Sequence, residues 1–120
     1  MAGILILEDE ADLRELYRLS LEAAGHEILA STGDPEEPLR LPAGGRVPDL
    51  VILDERLGSS SGTAYLDRFR SAFPGARILL VSADPEAVRH ALRSGVDEAT
   101  RKPVTLRRLV ENVDALLHRH

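Results

Sequence analysis

Cysteine is absent from all 120 residues, which excludes disulfides, thiol nucleophiles and thiolate metal sites. Long apolar runs are missing as well. Near the start the longest is residues 4–7, ILIL, and Glu8, Asp9 and Glu10 follow it directly. A secretory leader needs a longer apolar stretch and a small-residue cleavage site, so the residues predict a cytoplasmic chain without membrane insertion. Basic charge is outnumbered, 15 Lys and Arg standing against 20 Asp and Glu for a formal net charge of −5. Phosphate-backbone affinity comes from clustered Lys and Arg, which argues against direct nucleic-acid binding and makes a cation the expected ligand. Lysine is nearly missing too. Of 15 basic residues, 14 are Arg, so Lys102 stands alone.

The composition, 43% hydrophobic and 29% charged, suits a globular chain, and its length suits one domain over residues 1–120. No linker, low-complexity tract or output domain is expected. Residues 4–7, 50–53 and 78–81 are all apolar, as strands covered on both faces should be. Residues 27–30 and 98–101 are short strands of mixed or polar composition. Between them, Leu13, Leu16, Tyr17, Ser20, Leu21 and Ala24 recur at helical spacing ahead of Gly25. Leu66, Phe69 and Phe73 share one face of a helix over 63–73. Asp84-Pro85 suits N-cap and first helical position of a helix through about residue 93. Leu106, Leu109, Val110, Val113, Leu116 and Leu117 make an amphipathic last helix. Residues 31–48 are less regular: Asp34-Pro35 can start a helix, but Pro38 and Pro42 remove donors within it. A short or distorted helix is predicted there, followed by an irregular Ala43-Gly44-Gly45 loop.

Five βα units imply a parallel sheet with helices on both faces and right-handed crossovers. Ligands of such sheets gather outside the carboxyl ends of the strands. That edge collects Glu8 and Asp9 after the first strand, Asp54 ending the third, Ser82 after the fourth and Lys102-Pro103 after the fifth. Singly, each has a plain structural explanation: Asp54 and Asp9 as helix caps, Ser82 as a turn residue, Lys102 as a solvated charge. Together, three crowded carboxylates call for a cation, and a hard divalent ion with oxygen ligands, Mg²⁺, fits an open site. Asp54 then keeps an oxygen able to attack phosphorus, with Lys102 and Ser82 sharing the charge of the transferring group.

ILILEDE, DLVILDERLGSSSG, ILLVSAD and RKPV, in this order and spacing, resemble the receiver domain of two-component response regulators over essentially the whole chain. The resemblance implies an α/β, flavodoxin-like (βα)5 doubly wound fold with sheet order 2-1-3-4-5. It implies Asp54 as phosphoacceptor, and a Mg²⁺ (or Mn²⁺) site from Asp9 directly, Glu8 through water, Asp54, and the Arg56 backbone carbonyl. Ser82 and Lys102 would bind the phosphoryl group, with Ala83 leaving room for it. The expected partner is a sensor histidine kinase or histidine phosphotransfer protein, and the domain would be a signalling switch rather than a turnover enzyme. Homodimerisation through the fourth helix, fifth strand and last helix is compatible with the family, though no residue requires it.

Three departures stand out. Gly58 replaces the usual proline four residues after the acceptor and precedes three serines, so a looser loop is expected. Ala99 stands where the family has its aromatic switch residue, and Val104 replaces the phenylalanine after Lys-Pro. Ala99 motivates an alternative, a degenerate receiver that binds protein without being phosphorylated. An Arg56–Asp84 ion pair over the acceptor is a further expectation. Two enzymes are set aside: a haloacid-dehalogenase-like phosphatase needs Asp where Arg56 stands, and a flavin phosphate would be repelled by Glu8, Asp9 and Glu10.

Overall fold

The computed structural model describes residues 2–40 and 45–119. Strands β1 (Gly3–Leu7), β2 (Glu27–Thr32), β3 (Leu50–Asp54), β6 (Arg77–Ser82) and β7 (Glu98–Arg101) form one parallel sheet in the order β2-β1-β3-β6-β7. Counting these five alone, this is the expected 2-1-3-4-5. A separate antiparallel hairpin, β4 (Arg56–Leu57) and β5 (Ser60–Ser61), follows β3. The helices are α1 (Ala11–Ala23), α2 (Glu36–Leu39), α3 (Leu66–Ala72), α4 (Pro85–Ala91) and α5 (Leu106–Leu117). Three-residue-per-turn helix leads into α3 over Gly62–Tyr65 and continues α4 over Leu92–Ser94.

The two-residue period of a strand sends neighbouring side chains to opposite faces, and the all-apolar strands supply two cores in this way. Ile4, Ile6, Leu50, Ile52, Leu79 and Val81 meet Tyr17 and Leu21 of α1 and Leu109, Val113 and Leu116 of α5. Leu5, Leu7, Val51, Leu53, Ile78 and Leu80 meet Leu66 and Phe69 of α3 and Ala91 of α4. Every residue of β1 and β3 is buried, which is why residues 4–7 and 50–53 carry no polar position; the buried carboxylate of Asp54 ends β3. Leu16, placed by its spacing on the apolar face of α1, is instead 47% exposed. Tyr17 and Leu21 face the sheet in its place.

The α2 region is short, as its prolines require. Asp34 Oδ1 accepts from Glu36 N at 2.9 Å, so the expected cap is present; Pro35 already has helical backbone geometry, and the helix over Glu36–Leu39 stops after a single turn. Pro42, Ala43 and Gly44 lie outside the described residues. Asp84 caps α4 through Glu86 N at 2.9 Å, with Pro85 in the first turn. Thr105, unnoticed in the sequence, caps α5 by accepting from Arg108 N at 3.0 Å.

Thr105→Ala is expected to cost about 1 kcal/mol through loss of that cap, lowering Tm by about 4 °C in a chain of this length. Thermal unfolding followed by circular dichroism checks it, and an unchanged Tm would remove Thr105 from the supports of α5.

Candidate functional site

The strand register brings the site together. Leu7 pairs with Leu53, Leu53 with Leu80, and Ser82 with Arg101, so β1, β3, β6 and β7 end side by side at one edge. There, a cleft of about 720 Å³ is lined by Glu8, Asp9, Asp54, Arg56, Ser82, Ala83 and Lys102. All seven are residues expected from the sequence. Glu10, Glu55, Gly58, Ser59, Ser60, Ser61 and Asp84 line it as well. Ala99, the expected switch position, lies outside this cleft: it pairs with Leu80 and packs its methyl group against the α3/α4 core.

The centre of the cleft is an ammonium between two carboxylates. Lys102 Nζ donates to Glu8 Oε1 at 2.5 Å and to Asp54 Oδ2 at 3.0 Å. The second oxygens are also held, Asp54 Oδ1 by Arg56 N at 3.1 Å and Glu8 Oε2 by Glu10 N at 3.3 Å. Glu8 and Asp54 are 1% and 6% exposed, and such burial of paired acids is tolerable only with a cation in contact. Burial pushes the Glu8 carboxyl up to about 7; hydrogen bonding to Asp54 adds to this, and Lys102 opposes it. Burial works to lower the Lys102 pKa, but the contacts with Glu8 and Asp54 overcome it and hold it above the usual lysine value.

Ser82, 4% exposed, accepts from Asp84 N at 3.0 Å through Oγ, and its carbonyl accepts from Lys102 N at 2.8 Å. Its backbone therefore fixes where the lysine leaves the sheet.

Three expectations need correction. The three acids do not crowd together. Among the described residues no three acidic or imidazole groups already converge on a point that could hold an ion, because Lys102 occupies the space between Glu8 and Asp54. Asp9 is exposed at the mouth of the cleft. Second, the loop after Asp54 is not loose. It turns at Gly58, whose φ of 62° lies in the left-handed region that glycine tolerates, and pairs Arg56 with Ser61 and Leu57 with Ser60. Third, no Arg56–Asp84 ion pair forms among the described residues. Arg56 is exposed and Asp84 is committed to capping α4.

The residues that sequence reasoning missed are Glu55 and the hairpin serines. Ser61 Oγ donates to Glu55 Oε1, Thr63 Oγ1 donates to the same oxygen at 3.2 Å, and the two hydroxyls lie 2.8 Å apart. Six- and eight-residue separations carry no local signal unless a turn at Gly58 is assumed. Gly62 is required by close approach, since a Cβ there would lie 2.2 Å from the carbonyl oxygen of Asp54.

A parallel doubly wound sheet with buried acids and one lysine at its carboxyl edge defines a class of signalling domain, and comparison with known proteins agrees. Residues 4–114 match the family model of the response regulator receiver domain. The chain is 35% identical over 120 residues to the phosphate regulon transcriptional regulatory protein PhoB of Rhizobium meliloti (strain 1021), covering 97% of this chain and 52% of that protein. It is 33% identical over 119 residues to the probable transcriptional regulatory protein TcrX of Mycobacterium tuberculosis, covering 97% and 50%. A crystal structure of a Burkholderia pseudomallei response regulator, with a phosphorylated aspartic acid, calcium ion and citrate, aligns with a TM-score of 0.80 at 25% identity, covering 98% and 67%. The chain thus spans about half the length of these curated relatives. It belongs to the receiver domain family of two-component response regulators.

Because the proton on Glu8 is held more tightly in the folded chain than in the unfolded one, its stabilising effect is complete below pH 4.5 and is lost as pH rises to about 7. In metal-free buffer, Tm of Glu8→Gln should therefore fall less than that of the wild type across this window and lie above it at pH 8. Parallel Tm–pH curves for the two chains would contradict the assignment.

Proposed function

We propose that Asp54 accepts a phosphoryl group from a sensor histidine kinase or a histidine phosphotransfer protein, and that the added charge switches a protein-interaction surface. The observation that carries this reading is the placement of Asp54: it ends a buried strand, opens on the cleft, and has Oδ2 3.0 Å from the sole lysine. An Asp54 oxygen bonds to phosphorus as the P–N bond of phosphohistidine breaks, and the released imidazole nitrogen is protonated from solvent. Lys102 and the Ser82 hydroxyl stand ready for the phosphoryl oxygens, and the methyl of Ala83 leaves the approach open. The aspartyl phosphate formed is later hydrolysed, so the domain works as a timer and switch, not a turnover enzyme.

The donor set at the cleft suits a hard divalent ion, being made of oxygens alone. Among the described residues Asp9 has no hydrogen-bond or ion-pair partner, so its carboxylate is free to bind. Asp9, Asp54 and the Arg56 carbonyl would hold Mg²⁺ or Mn²⁺, with Glu8 acting through water. Bound there, the ion neutralises charge on the phosphoryl oxygens. The phosphorylated aspartic acid and calcium ion named for the Burkholderia pseudomallei protein support this assignment. The transcriptional regulators among the relatives make control of transcription through a further domain the natural output.

The degenerate-receiver alternative has one observation in its favour, Ala99, which offers no ring to reorient. That bears on how a signal leaves the site rather than on whether Asp54 is modified. Incubation with acetyl phosphate and Mg²⁺ should give a phosphoryl adduct by intact-mass analysis in the wild type and none in Asp54→Asn. An adduct persisting in Asp54→Asn, or none in the wild type, favours the alternative. Asp9→Ala should weaken Mg²⁺ binding by about tenfold or more, whereas Lys102→Ala should keep the ion and lose the phosphorylation-dependent conformational change.

A further inference from the structure

Resting on the acceptor assignment of Asp54, we infer that Glu55 is a positioning residue for phosphoryl transfer. Its side chain pins the β4–β5 hairpin, and the hairpin orients the Asp54 carboxylate. The path is short and geometric. Asp54 Oδ1 is held by Arg56 N at 3.1 Å, so a contact that aims the acceptor comes from the first residue of the hairpin. Arg56 is in turn set by its pairing with Ser61. Hairpins of two-residue strands have little stability of their own, and this one turns through glycine and three serines, with no proline to stiffen it.

Glu55 supplies the missing constraint. Its N–H donates to Val81 O at 3.0 Å, tying it to the sheet, and its carbonyl accepts from Gly62 N at 2.6 Å, closing the far end of the hairpin. Its carboxylate takes hydroxyls from Ser61 and Thr63 on one oxygen, Oε1. The other oxygen, Oε2, is buried without a partner among the described residues, so the whole grip passes through Oε1. Hydrogen bonds to a carboxylate are among the stronger ones in proteins. Leu57, 3% exposed, anchors the near arm in the α3/α4 core, but the serine arm has no apolar anchor. Glu55 holds it instead. The carboxylate itself touches neither phosphorus nor the acceptor; it acts through Ser61 and Arg56.

Glu55→Ala and Glu55→Gln separate this role from general stability. In Glu55→Ala, amide hydrogen exchange at Arg56, Leu57 and Gly62 should speed up about tenfold or more while amides of β1 and β3 stay as they are. Its rate of phosphorylation by acetyl phosphate at saturating Mg²⁺ should fall about tenfold, the scale of one lost charge-assisted hydrogen bond. Glu55→Gln keeps an acceptor oxygen for both hydroxyls and should recover most of that rate. The double variant Ser61→Ala/Thr63→Val should slow the wild type but add nothing in the Glu55→Ala background. Unchanged hairpin exchange in Glu55→Ala, faster exchange with an unchanged phosphorylation rate, or no recovery in Glu55→Gln would each overturn the inference. A wild-type chain that forms no adduct sinks the acceptor assignment instead, and the exchange measurement then decides the grip of Glu55 on its own.

Discussion

The contact on which the site depends is that of Lys102 Nζ with Glu8 and Asp54, groups 94 and 48 residues away along the chain. Two carboxylates this deeply buried repel each other and have lost most of their hydration; removing the ammonium would leave that cost uncompensated, on the order of several kcal/mol. The lysine must therefore arrive at a defined place. Its route is set by the parallel pairing of β6 with β7 and by the bond from its own N–H to the Ser82 carbonyl. Arginine serves everywhere else in this chain, but a compact point charge with rotatable donors suits a space between two oxygens of different residues better than a planar fork does.

The sheet makes this arrangement reproducible. Ile4 and Ile6 face one core while Leu5 and Leu7 face the other, so a one-residue slip of β1 would invert both sets at once. Burial on both faces thus fixes register more firmly than any polar contact, and the acidic edge inherits that precision. β1, which Glu8 follows directly, and β3, which ends in Asp54, each have neighbours on both sides in the sheet. The two buried acids are carried by these central strands, while the hairpin, whose strands pair only with each other, is left for Leu57 and local hydrogen bonds to order.

Much of the fold was legible in the residues. The three apolar runs, the cap at Asp84 and the amphipathic pattern of α5 each reflect a local rule that the tertiary structure had no reason to override. The hairpin was not legible. Two-residue strands are too short to show alternation, and three serines after a glycine read as an unstructured loop. Glu55 was missed for the same reason: its partners become neighbours only once the chain has turned at Gly58. Leu16 shows the opposite failure, an apolar residue at the right spacing that the finished packing left outside.

The residue pattern alone places Glu8, Asp9, Asp54 and Ser82 at one edge, because apolar runs ending in polar residues can do little else in a parallel sheet, and the βα alternation adds Lys102 after the mixed strand over 98–101. Which of them touch was decided only by the tertiary structure. Side-chain direction beyond the last paired residue of a strand depends on the neighbouring strands and on where the cation sits. Glu8 therefore turns inward to Lys102 while adjacent Asp9 stays at the mouth of the cleft, a division between two consecutive acids that no pattern of residue types encodes.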